Sequence, residues 1–239
     1  MNLDKPFIIA EAGTCHAVSN LAMARATRQE HSRLRAIHYV NAAAGAGADA
    51  VKFQIFDNPI KENLFCWIKG DEVRNLRWID SRMSLDDWKF VKDYCSSQGI
   101  VFLASVFEYE TVKWLTELKV EATKVASRAA QYLNEFKDAP QPLLISNGMF
   151  DIVPEDDIVL ECEANYPSTA RWRGKYPGFS DHSGTPWRAI DALARGCKLI
   201  EVHFFVDPND AGPDLPASLT VEELKLVCEA RDGMMDIRN

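Results

Sequence analysis

Eight short apolar segments, which alternate with longer amphipathic stretches along the chain, limit most strongly what this sequence can fold into. Nearly continuous apolar runs of this length are typical of parallel strands that are covered on both faces. The predicted strands are FIIAEA (7–12), ADAVKFQIF (48–56), IVFLASVF (100–107), VEATKVAS (120–127), PLLISNG (142–148), DIVLECEA (157–164), YPGFSDHS (176–183) and KLIEVHFF (198–205).

Helical patterns separate most of these segments, at about 19–46, 83–98, 108–118, 185–196 and 219–234. Eight β-then-α steps in 239 residues predict an α/β fold, a (β/α)8 TIM barrel, with residues 1–239 as a single domain. A doubly wound sheet is the alternative, but no nucleotide-type glycine loop follows a strand. The connections after the fifth and sixth strands are shorter than the roughly 30 residues of a barrel unit. We therefore expect the fifth and sixth helices to be trimmed.

Charge and cysteine usage exclude several classes of protein. The formal net charge is −8 and no basic block occurs, which disfavours a nucleic-acid partner. No apolar run approaches the roughly 18 residues of a membrane span, and the first residues do not resemble a signal peptide. The six cysteines are scattered without a C-x-x-C pair, which favours reduced thiols and a cytoplasmic location.

Polar side chains collect near the carboxyl ends of the predicted strands. In a TIM barrel these ends converge on one mouth, where the active site is built. Lysines and serines there suit a phosphate, and two histidines from adjacent strands suit a divalent metal with open coordination positions. We infer a metal-assisted reaction on a small phosphorylated anion. The residues are Glu11, Lys52, Gln54, Ser105, Lys124, Ser127, Ser146, Ser180, His182 and His203.

Sequence motifs at these strand ends resemble the sialic acid synthase (N-acetylneuraminate synthase) family. They are IIAEAGTCH, GADAVKFQ, GIVFLASVF, KVAS, ISNGM, YPS, GFSDHSG, IEVHF and GPDLPASL, in the family's order. The resemblance implies an enzyme of carbohydrate biosynthesis that joins phosphoenolpyruvate to an aldehyde sugar similar to N-acetylmannosamine. The products would be a nonulosonic acid of the sialic acid type and phosphate. The implied cofactor is a divalent metal, most often manganese, with magnesium or cobalt as alternatives.

The resemblance also assigns roles to individual residues. It implies that His182 and His203 bind the metal, and that Glu11 and His203 are catalytic. The groups that would hold phosphoenolpyruvate are Lys52, Ser105, Lys124, Ser127, Ser146 and Ser180. The groups that would contact the sugar are Gln54, Tyr166 and Asp214.

The departures from the family pattern lie mainly on the sugar side. The Glu that often follows K-I-x-S is replaced, because KVAS continues into Arg128 and Ala129. We also expect no antifreeze-like C-terminal domain, which in the family supplies an arginine for the sugar. The protein would then be a monomer, or a homodimer that forms without that domain. Two alternatives to an active synthase stay open: a catalytically lost barrel that serves binding or assembly, and another metal-dependent barrel synthase or aldolase.

Two further segments could belong to the mouth. Residues 64–80 are predicted to be a long loop after the second strand, either a lid or an inert surface excursion. Arg171, Trp172, Arg173 and Lys175, in the shortened sixth connection, could replace the missing arginine by facing an anionic substrate.

Overall fold

The fold is a closed barrel of parallel strands, seen in a computed structural model that describes residues 4–18, 24–67, 70–150, 157–209 and 212–238. Each of the first eight strands pairs with the next, and β1 pairs with β8, so the sheet closes on itself. The strands are β1 (Phe7–Gly13), β2 (Ala50–Gln54), β3 (Val101–Ser105), β4 (Thr123–Val125), β5 (Leu143–Asn147), β6 (Ile158–Cys162), β7 (Gly178–Asp181), β8 (Leu199–Phe204) and a short β9 (Ser218–Leu219).

The closure confirms the predicted TIM barrel and excludes the doubly wound sheet, which would leave two open edges. All eight predicted segments contain a strand. The strand β9 was not predicted; it extends β8 by pairing Ser218 with His203 and Leu219 with Phe204.

Six α-helices and two 3₁₀ helices connect or cover the strands in the described part of the chain. The α-helices are α1 (Arg25–Ala46), α2 (Glu72–Asp80), α3 (Leu85–Ser97), α4 (Tyr109–Glu117), α5 (Pro186–Ala194) and α6 (Val221–Arg238). The 3₁₀ helices are η1 (Ser127–Phe136) and η2 (Gly212–Ala217). Among the described residues, no helix is both long and apolar enough to cross a membrane.

Local sequence explains where several helices begin and end. Ser84 and Asp87 exchange hydrogen bonds in a capping box at the start of α3. Gly47 ends α1 with a φ of 87°, a left-handed conformation that only glycine adopts without strain. Pro186 opens α5, where its missing N–H costs nothing because the first turn has no intrahelical acceptor.

The connections differ in two ways from a regular barrel. In the described residues between β5 and β6, and between β6 and β7, no helix occurs, which agrees with the predicted trimming of the fifth and sixth helices. The segment 64–80, predicted as a loop, contains α2. Its first turn is fixed by Asp71, whose side chain accepts a hydrogen bond from the backbone N–H of Arg74.

Two apolar cores lie on either side of the strands. The larger one packs the outer faces of the strands against the helices and includes Tyr39, Trp88 and Phe204. The smaller one fills the inside of the barrel with residues on or next to seven of the eight barrel strands, all but β7, and its fully buried members are Ile9, Ala50, Leu103, Ala122, Leu144, Leu160 and Leu199. Because side chains alternate along a strand, the next inward position toward the carboxyl end lies two residues further on.

The barrel wall has one thin seam. A single register pair, Ser105 with Lys124, joins β3 to β4, whereas the other neighbouring barrel strands share three to five pairs each. β4 is also the shortest barrel strand, with three residues. A sheet with few ladder hydrogen bonds at one junction opens there most readily.

At the opposite end of the barrel, Arg231 of α6 closes the structure. Its guanidinium, 2% exposed, is ion-paired with Asp49 and donates a hydrogen bond of 3.0 Å to the carbonyl oxygen of Gly47. Asp49 in turn accepts from the backbone N–H of Ile8 at 2.8 Å. The last helix is thereby fixed to the start of β1 and to the turn before β2.

Candidate active site

A layer of polar side chains lies directly above the apolar core inside the barrel. Two positions after each inward apolar residue, and after Gly178 on β7, the next inward residue is polar or a cysteine, as the alternation of side chains along a strand allows. The layer is formed by Glu11, Lys52, Ser105, Lys124, Ser146, Cys162, Ser180 and Glu201, and five of its members were predicted as ligands of one phosphorylated substrate. At the carboxyl end of a TIM barrel this is the position of the active site.

Lys52 joins three strands in this layer. Its Nζ lies 2.5 Å from Oε2 of Glu11 on β1 and donates a hydrogen bond of 2.8 Å to Oγ of Ser105 on β3. Oε2 of Glu201 is 3.8 Å away. Burial acts to lower the pKa of Lys52, but the charges of Glu11 and Glu201 overcome it and raise the pKa above its usual value. Lys52 is therefore a fixed positive charge.

Lys124 forms a second group across the seam. Its Nζ donates a hydrogen bond of 2.7 Å to Oγ of Ser146 and lies 3.7 Å from Oε1 of Glu201. The same carboxylate oxygen accepts a hydrogen bond of 2.8 Å from Ser180. Burial lowers the pKa of Lys124, partly offset by Glu201. Two lysines with hydroxyl partners inside a low-dielectric barrel make an anion-binding floor.

The two carboxylates of the layer differ in proton affinity. Burial raises the pKa of Glu11 to about 7, although the positive charge of Lys52 limits the rise. Burial also acts to raise the pKa of Glu201, but the charges of Lys124 and Lys52 prevail and lower it to about 2. At neutral pH Glu201 is ionised, whereas Glu11 is near the midpoint of its titration and can exchange a proton.

His182 and His203 lie side by side above this floor, with ring centres 5.3 Å apart. Nδ1 of His182 lies 2.7 Å from the backbone carbonyl oxygen of Glu163, which can only accept, so Nδ1 carries the proton. The lone pair is then on Nε2, which is 3.1 Å from the hydroxyl of Tyr166. A backbone partner of this kind fixes the tautomer of metal-binding histidines.

The donor set is therefore compatible with a divalent metal held by two imidazoles. Burial lowers the pKa of both rings, that of His203 to about 4, and the neutral ring is the form that binds metals. Within the described residues, no third His, Cys, Asp or Glu joins them in a metal-binding group, so the remaining coordination positions would face the mouth.

Two of the three predicted sugar-contacting residues, Gln54 and Asp214, lie near Gly13 together with Glu11. Gly13 has a φ of 55°, and a Cβ atom added there would lie 3.4 Å from Oε1 of Glu11, 3.6 Å from Nε2 of Gln54 and 3.8 Å from Oδ2 of Asp214. Asp214, 5% exposed, is also ion-paired with Arg74 of α2 at 3.1 Å. A glycine without a side chain thus leaves the space between three polar groups open.

The structure brings the predicted site residues together. Eleven of the twelve line one cleft at the mouth, and Asp214 lies at its edge beside Gly13. Ser127 contributes differently from the other serines, since its Oγ accepts hydrogen bonds from the backbone N–H groups of Gly148 and Met149. The eleven are Glu11, Lys52, Gln54, Ser105, Lys124, Ser127, Ser146, Tyr166, Ser180, His182 and His203.

The cleft encloses only about 50 Å³ in this conformation. Tyr166 narrows it, because its ring stacks on His182 with the ring centres 4.2 Å apart. Small-molecule sites usually measure about 300–1,000 Å³. A substrate larger than a few atoms therefore requires Tyr166 or a neighbouring side chain to move.

Sequence reasoning missed two residues that line the cleft, Cys162 and Glu201. Both lie on strands whose ends were already selected, and Glu201 is two residues before His203 on the same face of β8. Period-two alternation, counted back from His203, was the signal that could have found Glu201.

A larger cleft of about 600 Å³ lies beside the mouth and shares Cys162 with it. Arg171, Arg173 and Lys175 line it and are exposed, as a solvent-facing cationic surface would be. Trp172 is instead buried, and its Nε1 donates a hydrogen bond of 2.9 Å to the carbonyl oxygen of Tyr176. The predicted role of the three cations toward an anionic substrate stays a prediction.

Comparison with known proteins gives consistent matches. The sequence profile of the NeuB family matches residues 39–236. The spore coat polysaccharide biosynthesis protein SpsE of Bacillus subtilis is 29% identical, over 95% of this chain and 66% of that protein. The N,N'-diacetyllegionaminic acid synthase of Legionella pneumophila is 28% identical, over 95% of this chain and 72% of that enzyme. The chain thus spans roughly two thirds of the length of these relatives.

The fold is shared with a solved structure as well. The N-acetylneuraminic acid synthetase of Leptospira borgpetersenii superimposes with a TM-score of 0.79 at 22% identity, covering 100% of this chain and 86% of that one. At this identity the likeness shows the barrel and not the chemistry. The profile match, which extends from α1 to α6, shows the family: the chain belongs to the NeuB family.

Proposed function

We propose that this protein condenses phosphoenolpyruvate with the aldehyde form of an N-acetylmannosamine-like sugar, giving a sialic-acid-type nonulosonic acid and phosphate. The observation that carries the proposal is the anion-binding floor of Lys52 and Lys124 beneath two neutral histidines. The names of several relatives, among them legionaminic and pseudaminic acid synthases, support the reaction class.

On this proposal the polar layer holds the donor substrate. Lys52 and Lys124, with the hydroxyls of Ser105, Ser146 and Ser180, would bind the carboxylate and phosphate of phosphoenolpyruvate. Ser127 would act through the loop after β5, whose backbone it orients. Fixed lysines in a water-poor site stabilise phosphate charge throughout the reaction without reorganising.

The carbon–carbon bond would form between C3 of phosphoenolpyruvate and the aldehyde carbon of the sugar, whose oxygen takes up a proton. A divalent metal held by His182 and His203, manganese in the first instance, would polarise that aldehyde oxygen. Water then adds to the cationic C2 and loses a proton to Glu11. The bond between C2 and the phosphate ester oxygen then breaks while the C2 hydroxyl loses its proton, which gives the C2 ketone and releases phosphate. Of the two water protons, one replaces the proton that the aldehyde oxygen took up and the other leaves with phosphate.

The acceptor side would be formed by Gln54, Tyr166 and Asp214. The first and last face the open space at Gly13, next to Glu11. Tyr166 covers Nε2 of His182 and must move aside when the metal and the sugar bind.

Calorimetric titration of phosphoenolpyruvate, with and without Mn²⁺, tests the proposal. We expect binding to the wild type that Mn²⁺ strengthens, and loss of the Mn²⁺ effect in His182→Ala. The matched control is His38→Ala, on an exposed position of α1. Phosphate release on addition of N-acetylmannosamine then measures turnover. Absence of phosphoenolpyruvate binding under both conditions would exclude the synthase and favour a barrel retained for binding or assembly.

A further inference from the structure

Two arginines from connections, and not from strands, lie together on the acceptor side of the mouth. Arg74 of α2 directs Nη1 to Oδ1 of Asp214 and Nε to Oδ2 of Asp71, both at 3.1 Å. Its side chain is 18% exposed. Arg74 is therefore a neutralised cation, held between two carboxylates at the edge of the cleft.

Arg128 directly follows Ser127, which lines the cleft, and is near enough to Arg74 for their like charges to repel. Its guanidinium lies over the indole of Trp78, with Cζ 5.6 Å from the ring centroid. Trp78 is one helical turn after Arg74 on the same face of α2. Helix α2 thus presents Arg74 directly, and supports Arg128 through Trp78.

Within the described part of the chain, Arg128 differs from Arg74 in having no acidic partner. Its Nη1 is buried and has no hydrogen-bond partner among the described residues, and no described carboxylate lies within 4 Å to form an ion pair. The ring of Trp78 attracts the face of the guanidinium but has no lone pair that could accept a hydrogen bond from its N–H groups. A buried donor without an acceptor costs about 1–3 kcal/mol, which a ligand can restore.

The electrostatic surroundings of Arg128 favour the binding of a negatively charged group. Burial and the like charge of Arg74 both lower the pKa of the Arg128 guanidinium, and the interactions with Cys66, Asp71 and Tyr166 only partly oppose them. Tyr166 also interacts with Arg74 and lines the cleft. Nη1 of Arg128, which has no acceptor among the described residues, is therefore the group that an oxyanion would satisfy, with Arg74 as a second nearby positive charge.

We propose that Arg128, assisted by Arg74, binds an anionic group on the second substrate, so that the acceptor is an acidic sugar bearing a phosphate or a carboxylate. The inference rests on the proposed function and makes its acceptor more specific. The donor anion has its own lysines in the barrel, whereas Arg74 is paired with Asp214 and Arg128 follows Ser127 at the cleft. The arginine pair therefore serves the acceptor and not the donor.

Three sugars that differ only at C6 test this inference. N-acetylmannosamine, its 6-phosphate and N-acetylmannosaminuronic acid are titrated into protein loaded with phosphoenolpyruvate and Mn²⁺. We expect at least one acidic sugar to bind at least tenfold more tightly than the neutral one. In Arg128→Gln that preference should disappear while phosphoenolpyruvate affinity stays within twofold of the wild type.

Two control variants separate this site from general charge effects. Arg33→Gln removes a charge from the outer helix α1, where Arg33 pairs with Asp87 at 3.1 Å, and should retain the preference. Arg171→Gln removes a cation from the neighbouring larger cleft and should retain it too. Loss of the preference in Arg171→Gln but not in Arg128→Gln would overturn the assignment.

Sulfate provides a measurement that does not depend on the sugar. Its binding to the phosphoenolpyruvate-loaded protein should cause a saturable change in tryptophan fluorescence, since Trp78 lies under Arg128, and Arg128→Gln should abolish the change. If the loaded protein shows neither a sulfate response nor a preference for acidic sugars, the inference is wrong and the proposed function stands. If phosphoenolpyruvate itself does not bind, the proposed function fails first.

Discussion

Glu11 and Glu201 are two buried carboxylates in one polar layer, and their surroundings give them opposite proton affinities. Glu201 is held ionised by Lys124, Lys52 and Ser180, while burial keeps Glu11 within reach of protonation near neutral pH. Active sites commonly use such a difference to assign a fixed charge to one group and proton transfer to the other. Glu201 thus orients the lysines, and Glu11 is the residue suited to move a proton.

The pH dependence of stability tests this difference. The pKa of Glu11 is raised in the folded protein to about 7 from 4.5, so its contribution to stability is fully present below pH 4.5 and is lost as the pH rises through 7. Glu11→Gln removes that loss. Between pH 5 and pH 8, the free energy of unfolding of the wild type, measured with urea, should therefore fall by about 2 kcal/mol more than that of Glu11→Gln.

Glu110→Gln, on an exposed position of α4, is the control and should follow the wild-type profile. A difference between the wild type and Glu11→Gln that is the same at both pH values would show that Glu11 titrates alike in the folded and unfolded chains.

Lys124 allows a direct test of the anion-binding floor. Lys124→Met keeps most of the side-chain volume but removes the ammonium group that contacts Ser146 and Glu201. We expect the Kd of phosphoenolpyruvate to rise about 10- to 100-fold, because a hydrogen bond to a charged group is worth about 1.5–3 kcal/mol. Calorimetry measures the change, and Lys113→Met on the surface of α4 is the control. Unchanged affinity would place the donor substrate elsewhere.

The strand-end residues could be predicted because barrel topology brings the ends of eight strands together whatever the loops do. Glu11, Lys124 and His203 needed only their position at the end of an apolar run. Arg128 could not be predicted in this way, since its place depends on the ring of Trp78 in a different connection. Contacts between two loops leave no periodic signal in a single sequence.

At the scale of elements, the strands carry the donor side and the connections carry the acceptor side. Arg74 comes from α2 and Asp214 from η2, and their ion pair joins two connections that are far apart in sequence. Residues 64–80 were predicted as a loop, and α2 within them is only nine residues long, with Val73 and Leu76 facing solvent and Trp78 buried. A helix this short depends on the Asp71 cap and on the packing of Trp78.

The position of η2 depends on Gly184. This residue has a φ of 66°, and a Cβ atom there would lie 2.3 Å from the carbonyl oxygen of Pro216 in η2. Gly184→Ala should lower the free energy of unfolding by about 2 kcal/mol or more, through backbone strain and displacement of η2. Because Asp214 moves with η2, sugar affinity should fall further than phosphoenolpyruvate affinity, as calorimetry of the two ligands would report.

Gly45→Ala is the matched control for this substitution. Gly45 lies in α1 with nothing within 4 Å of an added Cβ atom, so alanine should stabilise the protein by about 0.5–1 kcal/mol. Equal destabilisation by both substitutions would show that the contact between Gly184 and η2 does not matter.

At the scale of the whole molecule, α6 is connected to the first two strands of the barrel. Arg231 connects it to Asp49 and Gly47, and Asp49 connects to the first strand through Ile8. The end of the chain and its beginning are thereby held together by one buried guanidinium. A contact of this sequence separation forms late and stabilises the finished barrel rather than a part of it.

Arg231→Met tests how much this contact contributes. Asp49 would lose its buried partner but is 23% exposed and lies 3.9 Å from Lys5, so we expect the free energy of unfolding to fall by about 1–3 kcal/mol. Lys225→Met removes an exposed pair with Glu229 on the same helix and should cost less than about 0.5 kcal/mol. Urea unfolding of the two variants gives the comparison; similar small losses would mean that hydrophobic packing alone holds α6.

The thin seam between β3 and β4 has a mechanical consequence. On one side of the seam Lys52 donates a hydrogen bond to Ser105, and on the other side Lys124 donates one to Ser146. A small opening of the seam would therefore change the distance between the two ammonium groups without breaking either hydrogen bond. An anion bound to both lysines would link β2 and β3 on one side to β4 and β5 on the other, at the junction that has the fewest paired residues. We expect the seam to open less often once phosphoenolpyruvate is bound, which slower amide exchange at Ala104 and Val125 on addition of the ligand would reveal.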